Sequence, residues 1–120
     1  MLKSFKDMSA WQLAMAIAEE IHGVTAHLPR NEDYGFTSQI RRSAVSISAN
    51  IAEGYGRQHT LDKINFYFNA RGSLTETQSH LEYAARVGYV NPDITNRLDD
   101  QLSSLYYEIN KIIGSLKPQK

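Results

Sequence analysis

The chain has no cysteine, only three prolines, no net charge and no long apolar run in its 120 residues. Each absence removes a class of protein. Without cysteine there is no disulfide framework, thiolate zinc site, iron–sulfur cluster or cysteine nucleophile. Thirteen Lys and Arg stand against thirteen Asp and Glu, so no excess charge exists to coat nucleic acid or to drive the chain onto acidic membranes. The same neutrality leaves little repulsion between copies. No stretch approaches the roughly 18 consecutive apolar residues of a membrane-spanning helix. Lys3 and Lys6 are not followed by an apolar signal region, because Gln12, Glu19 and Glu20 interrupt the next segment. A small cytoplasmic domain of bacterial type is expected. Apart from Val45–Ser48, which lies inside a stronger helical pattern, nothing alternates with period two, so no strands are expected.

What is present is helical periodicity. Trp11, Ala14, Ile17, Ile21, Val24 and Leu28 repeat at three-and-four spacing, and Pro29 closes this first segment. Phe36, Ile40, Ala44, Ile47, Ile51 and Tyr55 mark a second segment, weakened by Gly54 and Gly56. Thr60 is a candidate N-cap for a third, which carries Ile64, Leu74 and Leu81 and stops at Gly88. Asn91-Pro92-Asp93 combines an N-cap, a first-turn proline and an acid at the positive end of the helix dipole. Ile94, Leu98, Leu102, Leu105, Ile109, Ile112 and Leu116 then form a seven-residue repeat. The predicted fold is all-α, a single antiparallel up-down-up-down four-helix bundle with helices over about 9–28, 35–56, 60–87 and 92–116.

The second segment is rich in small and polar residues between Ser43 and Ala52, which predicts a close helix contact. Arg42, Ser46, Asn50, Glu53 and Arg57 fall on one side of it, with Arg71, Ser73 and Glu76 as partners on the third helix. Asn50, Glu53, Arg71 and Glu76 are therefore expected to form a structural polar network, together with Arg57.

These residues carry a family resemblance. Pro29, Glu32 and Tyr34-Gly35, then Gln39-Ile40-Arg41-Arg42, the run Ser46 to Arg57, and Ala70-Arg71-Gly72-Ser73-Leu74-Thr75-Glu76 are its main motifs. Trp11-Gln12, Ala14, Leu81-Glu82, Ala84 and Gly88-Tyr89 fit as well. The sequence resembles the four-helix-bundle proteins encoded in intervening sequences of bacterial 23S ribosomal RNA genes, over about residues 5–113. Ser48 stands where that family often has proline. The resemblance implies a bundle that assembles as a ring, commonly a pentamer, with a non-enzymatic role. A related branch, the accessory variability determinant of diversity-generating retroelements, binds a reverse transcriptase and nucleic acid. Its members are markedly basic, whereas this chain is neutral. The implied partners are copies of the chain itself, with nucleic acid or a nucleic-acid enzyme as the alternative.

Read directly, the residues support the same division. Arg30, Arg41, Arg42, Arg57, Lys63 and Arg71 outnumber the four acids between residues 30 and 71. A five-fold ring would turn this small excess into a belt of about ten charges. Arg41, Arg42, Arg57 and Lys63 are the candidate phosphate contacts, and Tyr34 and Tyr55 offer stacking faces. The competing reading pairs Arg42, Arg57 and Arg71 with Glu53 and Glu76.

Glu19 and His22 give the Glu-x-x-His spacing of di-metal bundles only once, so no metal is expected. No Gly-x-Ser-x-Gly elbow or phosphate-cradling loop occurs, so neither catalytic residues nor a cofactor are expected. Phe66-Tyr67-Phe68 and Tyr106-Tyr107 place rings on more than one helix face. One face fills a core and the other is expected to meet a partner.

Overall fold

The computed structural model describes residues 2–118. Its helices are α1 (Ser9–Val24), α2 (Phe36–Gly56), α3 (Thr60–Arg86) and α4 (Pro92–Leu116), with short 3-10 turns at Phe5–Asp7 and Arg30–Glu32. There is no strand among the described residues. Each helix packs against two neighbours, in the cyclic order α1, α2, α3, α4, and the backbones of the diagonal pairs stay apart across the core. The result is an antiparallel up-down four-helix bundle measuring 49 × 22 × 22 Å. One end, the terminal end, holds both ends of the described chain and the α2–α3 turn. The other, the loop end, holds the α1–α2 and α3–α4 connections.

Periodicity decides what lies inside. Ala14, Ile17 and Ile21 of α1 meet Ile40, Ile47 and Ile51 of α2, Leu74 and Leu81 of α3, and Leu98, Leu105 and Ile109 of α4 in one core. The α4 repeat runs through Thr95 and Ile113 as buried positions, while Ile94 and Ile112 are half-buried beside it. A straight helix drifts about 20° per heptad against a strict seven-residue repeat, which moves the buried position by one residue.

Helix ends follow local chemistry. Asn91 accepts from the Asp93 N–H at 2.7 Å, as its sequence predicts. Gly88 takes φ 80°, and the Tyr89 N–H reaches the Ala84 carbonyl at 2.8 Å while the Gly88 N–H reaches Ala85 at 3.2 Å. That double bond pattern is a Schellman cap, which needs the left-handed residue that glycine supplies without strain. Two expectations change. Thr60 is the first residue of α3 and His59 occupies the cap position without a side-chain bond. Helix α1 ends at Val24, not near Leu28, because Thr25 caps it: its hydroxyl donates to the Ile21 carbonyl at 2.7 Å. Pro29 excludes helix at Leu28, but the stop has already come.

The closest seam is α2 against α3. Thr77 donates to Ser43 at 2.9 Å, and the Ser46 and Ser73 hydroxyls stand 2.8 Å apart. Further along, a Cβ on Gly54 would stand 2.9 Å from Tyr67 Cε1. These pairs run in strict antiparallel register, and only small residues permit the approach. Ser43, Ser46 and Gly54 of α2 are thus used within the bundle, whereas Ala49 is exposed.

Candidate interaction surfaces

The residues expected to form one polar network are divided among four separate contacts. Asn50 Nδ2 donates to the Ser46 carbonyl (2.8 Å) and hydroxyl (3.0 Å), joining the Ser46–Ser73 bridge. Glu53 pairs with Arg57 one turn along α2, at 3.0 Å. Glu76 pairs with His80 at 3.2 Å. Arg71 meets neither acid; its guanidinium donates to Asn110 Oδ1 on α4 at 2.8 Å. The i,i+4 spacings favoured local pairing over a shared network.

The candidate phosphate contacts are also dispersed. Arg41 Nε donates to Thr25 Oγ1 (3.0 Å) and Nη2 to the His22 carbonyl (3.1 Å), so it caps the C-terminus of α1. Lys63 reaches the Gly54 and Tyr55 carbonyls at 3.2 and 2.8 Å and does the same for α2. Both cations sit at negative dipole ends, where unpaired carbonyls hold them. Arg57 lies over the Phe66 ring at 4.6 Å besides pairing with Glu53. Arg42 alone of the four is exposed and outside any ion pair found among the described residues. Near the loop end, Glu20 is bound to Arg97, which holds the guanidinium pKa above its ordinary value through that hydrogen bond. No group of three potential metal ligands lies together among the described residues.

Two surfaces of the bundle stand out instead. On the outer side of α2, Val45 and Ala49 are exposed and Ala52 is half-buried beside them. Arg42 and Glu53 flank them on the same side of the helix. On the α3–α4 face, Arg71 is half-buried between two rings, 4.9 Å from the Phe68 centroid and 5.7 Å from Tyr106. Lys117 lies 6.0 Å from Phe68, and on the outer side of α4 Lys111 lies 5.6 Å from Tyr107. No ion pair among the described residues includes Arg71, Lys111 or Lys117. The acid nearest to them on α4, Glu108, turns toward α1 and accepts from Ser9 at 2.9 Å.

The sequence pointed to these rings without their cations. The signal was present as i,i+3 and i,i+4 spacings, Phe68–Arg71 and Tyr107–Lys111. The Arg71–Asn110 bond, between different helices, had no local signal.

Fold and surface together define a helical bundle that offers faces, and no helix among those described is long and apolar enough to cross a membrane. Residues 6–113 match the sequence profile of the 23S rRNA-intervening sequence proteins, and the chain belongs to that family. It is similar in fold to the crystal structure of a protein of unknown function from the S23 ribosomal protein family of Bacteroides thetaiotaomicron. The two share 24% identity and a TM-score of 0.80, over 88% of this chain and 95% of that one. No curated protein matches it.

Proposed function

We propose that the chain is a non-enzymatic scaffold that assembles with copies of itself. The observation that carries this reading is the outer side of α2, where Val45 and Ala49 are exposed and Ala52 is half-buried, flanked on the same side by Arg42 and Glu53. An apolar centre with a polar rim is the anatomy of a protein interface. Its small side chains leave a flat surface that a neighbouring helix can approach closely. Zero net charge offers no barrier to the approach. A contact between unlike faces gives a ring when its rotation closes, and five copies is the number the family resemblance implies. Glu53–Arg57 is an exposed pair one turn apart, an arrangement suited to surface solvation, and Glu76–His80 has the same spacing with the imidazole half-buried against Phe36.

Light scattering at tens of micromolar tests the reading. The expected mass is a multiple of 13.6 kDa, falling to one chain in Ala49→Glu with helix content unchanged. A monomeric wild-type protein would overturn it.

A further inference from the structure

We propose that the outer side of α2 in one copy packs against the α3–α4 seam of the next copy, with the two bundles parallel. The pairing rests on the assembly proposed above and supplies the second surface and the orientation of that contact.

The seam carries two charges that lack a counterion. Arg71 is half-buried, yet its one polar side-chain partner among the described residues is the neutral Asn110 amide oxygen. Nearer the loop end, Asp99 is also half-buried and belongs to no ion pair among the described residues. With Gln78, Glu82 and Asn96 it lines a polar recess of about 60 Å³ between the two helices. Taking a charge out of water is unfavourable unless an opposite charge compensates it. Both groups are thus set for partners that their own chain does not provide.

The outer side of α2 carries the matching charges at the matching spacing. Arg42 is exposed and outside any ion pair found among the described residues. Glu53 is held only by Arg57, in an exposed pair of the kind that contributes little and exchanges readily. Arg42 and Glu53 stand eleven residues apart, three turns or about 16 Å along one side of the helix. On α4, Asp99 and Asn110 are also eleven residues apart, and the bond to Asn110 fixes the level of Arg71. Helices α2 and α4 both run from the loop end to the terminal end. In parallel bundles a single displacement along the axis therefore sets Arg42 against Asp99 and Glu53 against Arg71. In antiparallel bundles the same surfaces would set Arg42 against Arg71 and Glu53 against Asp99, which is repulsive.

The apolar groups fall between the charges on both surfaces. Val45 and Ala49 lie between Arg42 and Glu53, and Tyr106, 37% exposed, lies between Asp99 and Asn110. Short side chains on one surface thus face a projecting ring on the other. Around the bundle, α2 is next to α3 and diagonal to α4, so the two surfaces are not diametrically opposed. Each copy turns relative to the last, as closure into a ring requires. Two α2 surfaces can also pair antiparallel, Arg42 with Glu53, but that contact stops at two chains and leaves Arg71 and Asp99 uncompensated.

Sedimentation velocity over a concentration series, with circular dichroism to check folding, tests the pairing by charge exchange. Arg42→Glu, Asp99→Arg, Glu53→Arg and Arg71→Glu are each expected to raise the concentration needed for assembly about tenfold or more. The exchanged pairs Arg42→Glu/Asp99→Arg and Glu53→Arg/Arg71→Glu are expected to restore assembly toward the wild-type value. Arg42→Glu/Glu53→Arg, which inverts α2 alone, is expected to remain a single chain. If Arg71→Glu fails to fold, the Arg42 and Asp99 exchange decides, since neither side chain bonds to another helix among the described residues. A monomeric wild type would overturn this pairing together with the scaffold reading. A wild type that assembles while the four single reversals assemble equally well would overturn the pairing and leave the scaffold reading standing. The pairing also fails if the exchanged pairs stay dissociated, or if inverting α2 alone preserves a two-chain species, the mark of α2 packing on α2.

Discussion

Gly54 shows how one missing atom sets the distance between two helices. The Tyr67 ring fills the space that a side chain at Gly54 would need, with Cε1 2.9 Å and Cζ 3.0 Å from the position of a Cβ. Tyr67 is itself buried and has nowhere nearby to turn. Gly54→Ala is therefore expected to lower stability by about 1–3 kcal/mol through overpacking, although alanine is the better helix former. Chemical denaturation measures this, and an unchanged midpoint would mean that the ring moves aside freely. At this scale the sequence revealed which residues are unusual more readily than what they touch. Ser43 and Ser46 stood out as small residues in a central helix, and they do lie in a close contact. Arg41 and Lys63 stood out as cations, but their carbonyl partners belong to another helix's last turn. Only the folded arrangement brings those groups together.

The helices themselves were legible because their signals are local. Asn91-Pro92-Asp93 starts α4, and Gly88 stops α3, through atoms only a few residues apart. The end of α1 was misplaced because Thr25 and Arg41, sixteen residues apart, make the cap together. The two loop-end connections are joined by a bond between Tyr89 and Glu32, at 2.6 Å. That hydrogen bond to the carboxylate raises the Tyr89 pKa above its ordinary value, and burial raises that of Tyr67. A tyrosine whose pKa is higher folded than unfolded gives stability that is complete below about pH 10 and lost as pH climbs through the raised value. Thermal melts are expected to hold steady up to about pH 10 and to fall above it. Tyr89→Phe is expected to flatten part of that fall, since phenylalanine keeps the ring beside Phe36 without an ionisable proton. A variant that loses stability with the same alkaline profile would show that the Tyr89 proton is not involved.

For the molecule as a whole, assembly links stability to concentration. If copies pack through Val45 and Ala49, the melting temperature rises with protein concentration, because association favours the folded chain by mass action. Ala49→Glu is expected to remove that dependence. A wild-type melting temperature independent of concentration over two decades would count against the scaffold reading. Whole-molecule properties were also where the linear sequence was least informative. Along the chain, the basic excess falls in the middle, between mildly acidic flanks. In space, antiparallel helices redistribute it. Lys3, Lys6, Arg57, Lys63, Lys111 and Lys117 outnumber Asp7, Glu53, Asp62 and Glu108 toward the terminal end, whereas Glu19, Glu20, Glu32, Asp33, Glu82, Asp93, Asp99 and Asp100 outnumber Arg30, Arg41, Arg42, Arg86 and Arg97 toward the loop end, a net of +2 against −3.

This redistribution makes an electrically neutral protein an elongated dipole, with opposite charges at the two ends of a 49 Å body. Ion-exchange resins of both signs are therefore expected to retain it near its pI at low salt, each gripping a different end, and about 0.15 M salt, with its Debye length near 8 Å, releases it from either. A resin that lets it pass at low salt would contradict the segregation. Any charged surface in its surroundings would likewise meet the molecule end-on, with the outer side of α2 and the ring-bearing α3–α4 face turned sideways toward whatever lies alongside.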